Sequence, residues 1–270
     1  MGILNCTPDS FYAGSRVPRL QQAVEAAKRM LDAGADLLDV GGESSRPGSD
    51  YIDAAQEIER VVPVIEAIRA VSSVPVSIDT RKAEVAHAAV GAGADIINDI
   101  SALRDDPELA AFASERRLPV ILMHMRGTPR TMQQNPHYDD PVAEICRELA
   151  ESAHRAQQAG IARDRILLDP GIGFGKRLQD NVAVLRGIGE LRGLGYPLVV
   201  GASRKSFIGA LLSDAAGQPR PVERRLAGTV AVHLLAAQAG AEILRVHDVE
   251  ETRDALRILQ AVGQTEVTAS

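Results

Sequence analysis

The residues best suited to chemistry in this chain stand at the ends of short apolar runs. Asn5 follows Ile3-Leu4, Asp39 follows Leu37-Leu38, Asp79 closes Val76-Ser77-Ile78, and Asn98-Asp99 closes Ile96-Ile97. His124 follows Val120-Ile121-Leu122-Met123, and Asp169 follows Ile166-Leu167-Leu168. Gly201 and then Ser203-Arg204-Lys205 follow Leu198-Val199-Val200, while Arg245 and His247 belong to Ile243-Leu244-Arg245-Val246-His247. Asp39, Asp79, Asn98 and Asp169, with Lys205 nearby, suit a flat heterocycle of alternating donors and acceptors. A carboxylate accepts from an amino group and a ring N–H together, while Asn and Lys reach a carbonyl and a ring nitrogen. Arg46, Arg245 and His247, with Asn5 beside them, form a second, cationic group suited to a phosphate or diphosphate. Plainer readings compete. An Asp at a strand-to-helix junction commonly caps the next helix, and Arg245 serves equally well as the salt-bridge partner of a strand-end carboxylate. Further residues separate Asp39 and Asp79 from their helices, which disfavours capping as the role of all four.

The run Asp169-Pro170-Gly171-Ile172-Gly173-Phe174-Gly175-Lys176 has the composition of a phosphate loop. It lacks the spacing and the Ser or Thr of a P-loop and is not G-x-G-x-x-G. Its glycines fit a backbone passing close to a ligand, with Phe174 offering an aromatic face. Lys205 has the chemistry of a Schiff-base lysine, but beside Arg204 it fits charge recognition better. His124 has no second histidine at metal spacing and reads as a pocket-floor residue.

Eight apolar runs that each deliver polar groups at the C-terminal end imply a single-domain (β/α)8, or TIM, barrel with its site on one face. A repeat supports this. Ala33-Gly34-Ala35-Asp36, Ala92-Gly93-Ala94-Asp95, Ala159-Gly160-Ile161 and Ala239-Gly240-Ala241-Glu242 precede alternate strands, each glycine placed to end a helix in the left-handed conformation. The other strands are entered through Pro75, Pro119 and Pro197, at a position where a missing N–H is tolerated. Apolar spacing predicts helices over 20–31, 54–71, 82–90, 106–115, 142–158, 181–194, 222–238 and 249–260. Segments 8–18 and 43–53, rich in Ser, Gly, Pro and Asp, read as lid loops. The barrel is assigned to 1–262 and a frayed tail to 263–270.

The 270 residues match the ~250 of one barrel, and 45% apolar content allows a large core. A net charge of -6 argues against a general nucleic-acid binder. Cys6 and Cys146 have no metal-type spacing and offer no disulfide framework. With no apolar run long enough for a membrane span and no signal-like N-terminus, the expected compartment is the cytoplasm.

Taken together, these motifs resemble the dihydropteroate synthases of the pterin-binding family over essentially the whole chain. The matching stretches are Met1-Gly2-Ile3-Leu4-Asn5 with Thr7-Pro8-Asp9-Ser10-Phe11, then 39–48, Asp79-Thr80, Asn98-Asp99, Met123-His124-Met125, 169–176, Ser203-Arg204-Lys205-Ser206 and Arg245-Val246-His247-Asp248. The resemblance implies condensation of 6-hydroxymethyl-7,8-dihydropterin diphosphate with 4-aminobenzoate, assisted by Mg2+. It implies that Asp79, Asn98, Asp169 and Lys205 hold the pterin, with Met123 packed on it, that Asp39 and Gly201 also belong to the substrate site, and that Asn5 helps bind the metal. Ser45, Arg46, Arg245 and His247 would hold the diphosphate, while Pro47, Phe174, Ser206 and the first two loops would shape the aminobenzoate site. Asp79, Lys205, Arg245 and His247 are the expected catalytic residues.

Two departures stand out. Tyr12-Ala13 replaces the family's usual Ser-Asp, so closure of the first loop is expected to have less electrostatic support. Met1 lies inside the first strand, where family members usually have preceding residues, so either a misassigned start or a shortened chain is expected. A methyltetrahydrofolate–corrinoid methyltransferase shares the barrel but has no need of both Ser203-Arg204-Lys205 and Arg245-Val246-His247. A degenerate pterin binder would keep Asp79, Asn98 and Asp169 yet lose activity. Finally, only Thr229 and His233 interrupt the apolar run 226–237. A helix apolar nearly all round is expected to be covered on both sides, which predicts a homodimer through 222–239.

Overall fold

The computed structural model describes residues 1–7 and 16–263, with side chains from residue 20 in the first helix. The strands are β1 (Gly2–Asn5), β2 (Leu38–Gly41), β3 (Val76–Asp79), β4 (Ile96–Asp99), β5 (Val120–Met123), β6 (Ile166–Asp169), β7 (Val199–Val200) and β8 (Ile243–Leu244). Around them lie α1 (Arg16–Asp32), α2 (Ala54–Arg69), α3 (Ala83–Gly91), α4 (Pro107–Glu115), α5 (Pro141–Gln158), α6 (Leu178–Arg186), α7 (Ile188–Arg192), α8 (Ser206–Leu211), α9 (Leu226–Gln238) and α10 (Val249–Gly263). The first loop, including Tyr12 and Ala13, lies outside the described residues, as does most of the tail.

Parallel ladders run without interruption from β1 to β6, and β7 pairs with β8. Single bridges join the two seams, Leu168 to Leu198 and Gly2 to Val246. At the second seam Ile3 N–H donates to the Val246 carbonyl at 2.9 Å and Val246 N–H to the Met1 carbonyl at 2.9 Å, so the last strand meets the first. The sheet is therefore a (β/α)8 barrel. The prolines at strand entries give up no ladder bond that is needed. Their carbonyls still accept, Pro75 from Leu38, Pro119 from Ile97 and Pro197 from Leu168.

Alternation along each strand divides the core in two. Leu4, Leu38, Val40, Ile78, Ile97, Leu122, Ile166 and Leu168 point outward into one continuous apolar layer beneath the helices. Asp39, Ser77, Asp79 and Asn98 point inward, where they meet one another. The repeated glycines behave as the spacing implies: Gly34, Gly93, Gly160 and Gly240 have φ of 88, 113, 94 and 106°. In each case the following N–H reaches back to the last helical turn, as Ala35 does to Met30 at 2.9 Å.

The helices differ from the sequence pattern in three places. The 181–194 segment is split at Gly187 into α6 and α7, and a side chain at Gly187 would run into Val142 of α5. The short α8 has too little length for periodicity to reveal. Residues 222–224 form a separate 3-10 turn before α9.

Candidate active site

Register aligns the polar strand ends. Asn5 pairs with Gly41, Gly41 with Asp79, and Asp79 with Asn98, so one row crosses four strands at the same mouth. On the far side Met123 pairs with Asp169. None of Asp39, Asp79, Asn98 and Asp169 caps a helix. That task falls to Asp53, Asp106 and Asp140, whose side chains accept from the first turns of α2, α4 and α5. Asp99 points the other way and ties down its own loop by accepting from Ser101 and Leu103 N–H, both at 2.7 Å.

Asp39 is wholly buried and accepts from Ser77 Oγ, from Asn98 Nδ2 at 3.2 and 3.3 Å, and from Arg245 Nε at 2.6 Å. The same guanidinium reaches Asp79 through Nη2 at 2.8 Å. The two groups distinguished in the sequence are thus joined, with Arg245 bridging the carboxylates instead of standing apart with Arg46. Two desolvated carboxylates at a barrel mouth require a counter-charge, and Arg245, just past β8 where that strand meets β1, is in reach. Burial, with Asp39, Glu57 and Asp99 nearby, pushes Asp79 up to about 7 against the pull of Arg245. Arg245 itself, deep among carboxylates, is held above the usual guanidinium value.

Asp169 accepts Gly171 N–H at 2.7 Å, and its pKa is raised by burial. Gly171 has φ of 66°, and a Cβ there would lie 1.9 Å from the His124 carbonyl, so only glycine fits this bend. The turn brings Phe174 back to the mouth, where Lys205 Nζ sits 4.4 Å from its ring centroid and donates to the Ile172 carbonyl. Burial lowers Lys205 to about 8 despite the attraction of Asp169. Met123 packs with Ile100, Met125 and Met132 into a small cluster against Phe174, which gives the mouth an apolar wall.

His247 bonds through Nδ1 to Ser203 Oγ at 2.9 Å, and its backbone N–H donates to the same oxygen at 3.2 Å. Burial, then the charges of Arg245 and Arg204 and more weakly Arg46, lowers its pKa to about 4, so the imidazole is neutral at pH 7. A Cβ at Gly201 would come into van der Waals contact with the Arg245 side chain, at 3.6 Å. Ser45 is half-buried beside Asp79 and Thr80, while Arg46, Pro47 and Ser206 are exposed at the rim. The second loop is anchored by Glu43, which binds Arg81 and Lys82, and Lys82 in turn binds Glu57.

Sequence reasoning named Ser203 only within the run Ser203-Arg204-Lys205 and did not single out Ser77 as a site residue. Ser77 was legible, being two residues before Asp79 on the same strand face. It also passed over the bonds of His124. This residue lies beneath the loop, with Nε2 against Glu148 at 2.9 Å and Nδ1 against Lys176 Nζ at 3.0 Å. It faces α5 and lies outside the barrel's interior.

A parallel barrel with a mouth of buried carboxylates, amide and lysine is a class of protein built to hold a polar heterocycle. Residues 1–247 match the model of the pterin binding enzyme family, and the chain belongs to that family. Its relatives make the match more particular. The dihydropteroate synthase of Escherichia coli is 48% identical over 261 residues, spanning 97% of this chain and 90% of that protein. The dihydropteroate synthase of Synechocystis is 45% identical, spanning 97% and 89%. Among solved structures, Xanthomonas albilineans dihydropteroate synthase with 4-aminobenzoic acid superposes with a TM-score of 0.90 at 48% identity, covering 98% of this chain and 93% of that one. The same enzyme in complex with 7,8-dihydropteroate gives 0.86 at 46% identity, with coverage of 98% and 93%.

Proposed function

We infer that this chain is a transferase of folate biosynthesis that condenses 6-hydroxymethyl-7,8-dihydropterin diphosphate with 4-aminobenzoate, releasing dihydropteroate and diphosphate. The observation that carries the reading is the buried array of Asp39, Asp79, Asn98, Asp169 and Lys205, spanned by Arg245, at one mouth of the barrel. Asp79 and Asp169 accept from the pterin's amino group and ring N–H, while Asn98 and Lys205 serve its remaining polar edge. Met123 and Phe174 flank the ring. When the pterin takes Asp79 as its acceptor, Arg245 is released to turn toward the diphosphate, beside His247, Ser45 and Arg46.

The reaction this arrangement favours is dissociative. Cationic donors stabilise the departing diphosphate, and the buried carboxylates lie near the positive charge that spreads over the dihydropterin. The aniline nitrogen of 4-aminobenzoate then attacks the exocyclic carbon, guided by Phe174, Pro47, Ser206 and the first two loops.

Asn5 is a hard oxygen donor at the same mouth, and the described residues contain no cluster of three or more His, Cys, Asp or Glu that could cage a metal. That donor set fits Mg2+, which is held by one or two protein oxygens together with water and substrate phosphate. When bound, Mg2+ neutralises charge on the leaving diphosphate.

No helix among the described residues is long and apolar enough to cross a membrane, and we place the protein in the cytoplasm as a homodimer. The dimer reading is supported by α9, whose Leu235 is 65% exposed. Purified protein, both substrates and Mg2+ form the test, with dihydropteroate and diphosphate followed separately. Equal formation of the two products supports the reading. Binding of the pterin diphosphate without turnover points instead to a degenerate pterin binder.

A further inference from the structure

Helix α9 is turned the opposite way from an ordinary barrel helix. Two of its three polar residues, Thr229 and His233, are wholly buried against the barrel, whereas Ala227, Ala231 and Leu235 face outward, as does Gln238 at the last position. Thr229 Oγ1 and His233 Nε2 each have a definite partner, whereas His233 Nδ1 is buried without one among the described residues. Thr229 Oγ1 accepts Arg204 N–H at 3.0 Å, and His233 Nε2 accepts Ala202 N–H at 3.2 Å. At the start of the helix Arg225 Nη1 donates to the Arg204 carbonyl at 2.9 Å.

The segment so held is unusual. Arg204 has φ of 57°, a left-handed conformation that a long L side chain rarely adopts. Such a residue persists where its surroundings over-determine it. Here both ends of its backbone are bonded to α9 or the residue before it, while its guanidinium is bonded to Asp248. The two amides held by Thr229 and His233 flank Ser203, whose hydroxyl orients His247, and they lead directly into Lys205, which lies over Phe174. The loop has left the sheet at this point, since β7 ends at Val200. No neighbouring strand is left to accept from these N–H groups, and buried amides need an acceptor.

We propose that Thr229 and His233 are positioning residues for the reaction: by accepting the Arg204 and Ala202 amides they fix Ser203, and hence His247 and Lys205, in the substrate mouth. The proposal rests on the reading of Ser203, Lys205 and His247 as the diphosphate and pterin side of the site. It also gives α9 two jobs, an apolar outer face for a second copy and a polar inner face that sets the site. Side chains that merely filled the space beneath α9 would be Val and Leu, which bring no polar group to bury.

Two measurements test it. The first is binding of inorganic diphosphate with Mg2+ by calorimetry, and the second is hydrogen exchange of the Arg204 amide by NMR. Thr229→Val keeps the volume and removes the acceptor. It is expected to weaken diphosphate binding about tenfold and to speed Arg204 exchange by a similar factor, the scale of one lost buried hydrogen bond. Thr229→Ser, which restores the hydroxyl, is expected to return both to within about twofold of the parent, because the acceptor is back. The proposal is overturned by unchanged affinity in Thr229→Val, even with faster exchange, since the loop would then be held for stability alone. It is equally overturned if Thr229→Ser is as impaired as Thr229→Val. Failure of the parent protein to bind diphosphate strikes at the site reading instead, and unchanged Arg204 exchange in Thr229→Val would still overturn the brace. Should Thr229→Val not fold, His233→Gln, which keeps an acceptor near the Nε2 position, is compared with His233→Met at the Ala202 amide under the same criteria.

Discussion

At the scale of single residues, Asp79 and Lys205 set a narrow working range. Asp79 is pushed up to about 7 by burial, and Lys205 is lowered to about 8 by the same cause. A pterin needs the first as an anion and the second as a cation, so kcat/KM for the pterin diphosphate is expected to follow a bell whose limbs fall near those values. Asp79→Asn should flatten the acid limb and weaken pterin binding by about ten- to a hundredfold, the loss of a charge-assisted hydrogen bond in a dry pocket. An acid limb unchanged in Asp79→Asn would reject Asp79 as its source. The same raised pKa has a consequence for stability. An Asp that releases its proton near ~3.9 when unfolded but near 7 when folded keeps that proton in the folded state across the window between. Stability from this group is therefore greatest at the acid end and declines as pH rises through the window. The site is held together at the expense of the fold.

Among the elements, the bend after β6 is the least tolerant. Gly171 combines a left-handed φ with a Cβ position already occupied by the His124 carbonyl. Gly171→Ala is expected to cost roughly 1–2 kcal/mol for the backbone and roughly a further 1–3 kcal/mol for overpacking. Thermal unfolding should report a clear fall in Tm, and pterin affinity should fall with it because Asp169 and Phe174 are carried on the same turn. A Tm within a degree of the parent would show that the loop can relax. The composition of 169–176 marked this run as a close approach to a ligand; at Gly171 the close approach is to the His124 carbonyl, and only the crowding of the turn was legible. Its anchoring was not, because Lys176, His124 and Glu148 lie on three separate elements that only folding brings together. The same limit applies at Gly187, where the room for a side chain is taken by Val142 of α5, a residue far away in the sequence.

For the whole molecule, the question is what covers α9. Leu235 on this helix, with Ile258 and Val262 on α10, exposes 65%, 67% and 80% of its surface. Burying one such side chain contributes ~1.5–3 kcal/mol, so a charge on the proposed dimer face should be decisive. Leu235→Asp is expected to raise the dimer dissociation constant by at least about tenfold, from the lost burial alone, in sedimentation equilibrium. A parent that is already monomeric at micromolar concentration would reject the dimer. An unchanged dimer in the variant would reject α9 as its surface.

What the order of residues determined by itself is the plan of the barrel. Short apolar runs of two to four residues, glycine at one set of junctions and proline at the other, specify strands and helices through local backbone preferences and periodicity. Polar residues at the run ends then fall on one face because every strand of a parallel barrel points the same way. Tertiary structure alone decided which partners those residues take. Arg245 could be read equally as a diphosphate ligand or as a carboxylate's partner until the meeting of β8 and β1 set it between Asp39 and Asp79. Thr229 and His233 looked like interruptions of an apolar helix until α9 was seated with them inward. In both cases the physical reason is the same: a buried charge or amide takes whichever complementary group lies within about 3 Å, and that distance is set by the packing of elements far apart in the chain.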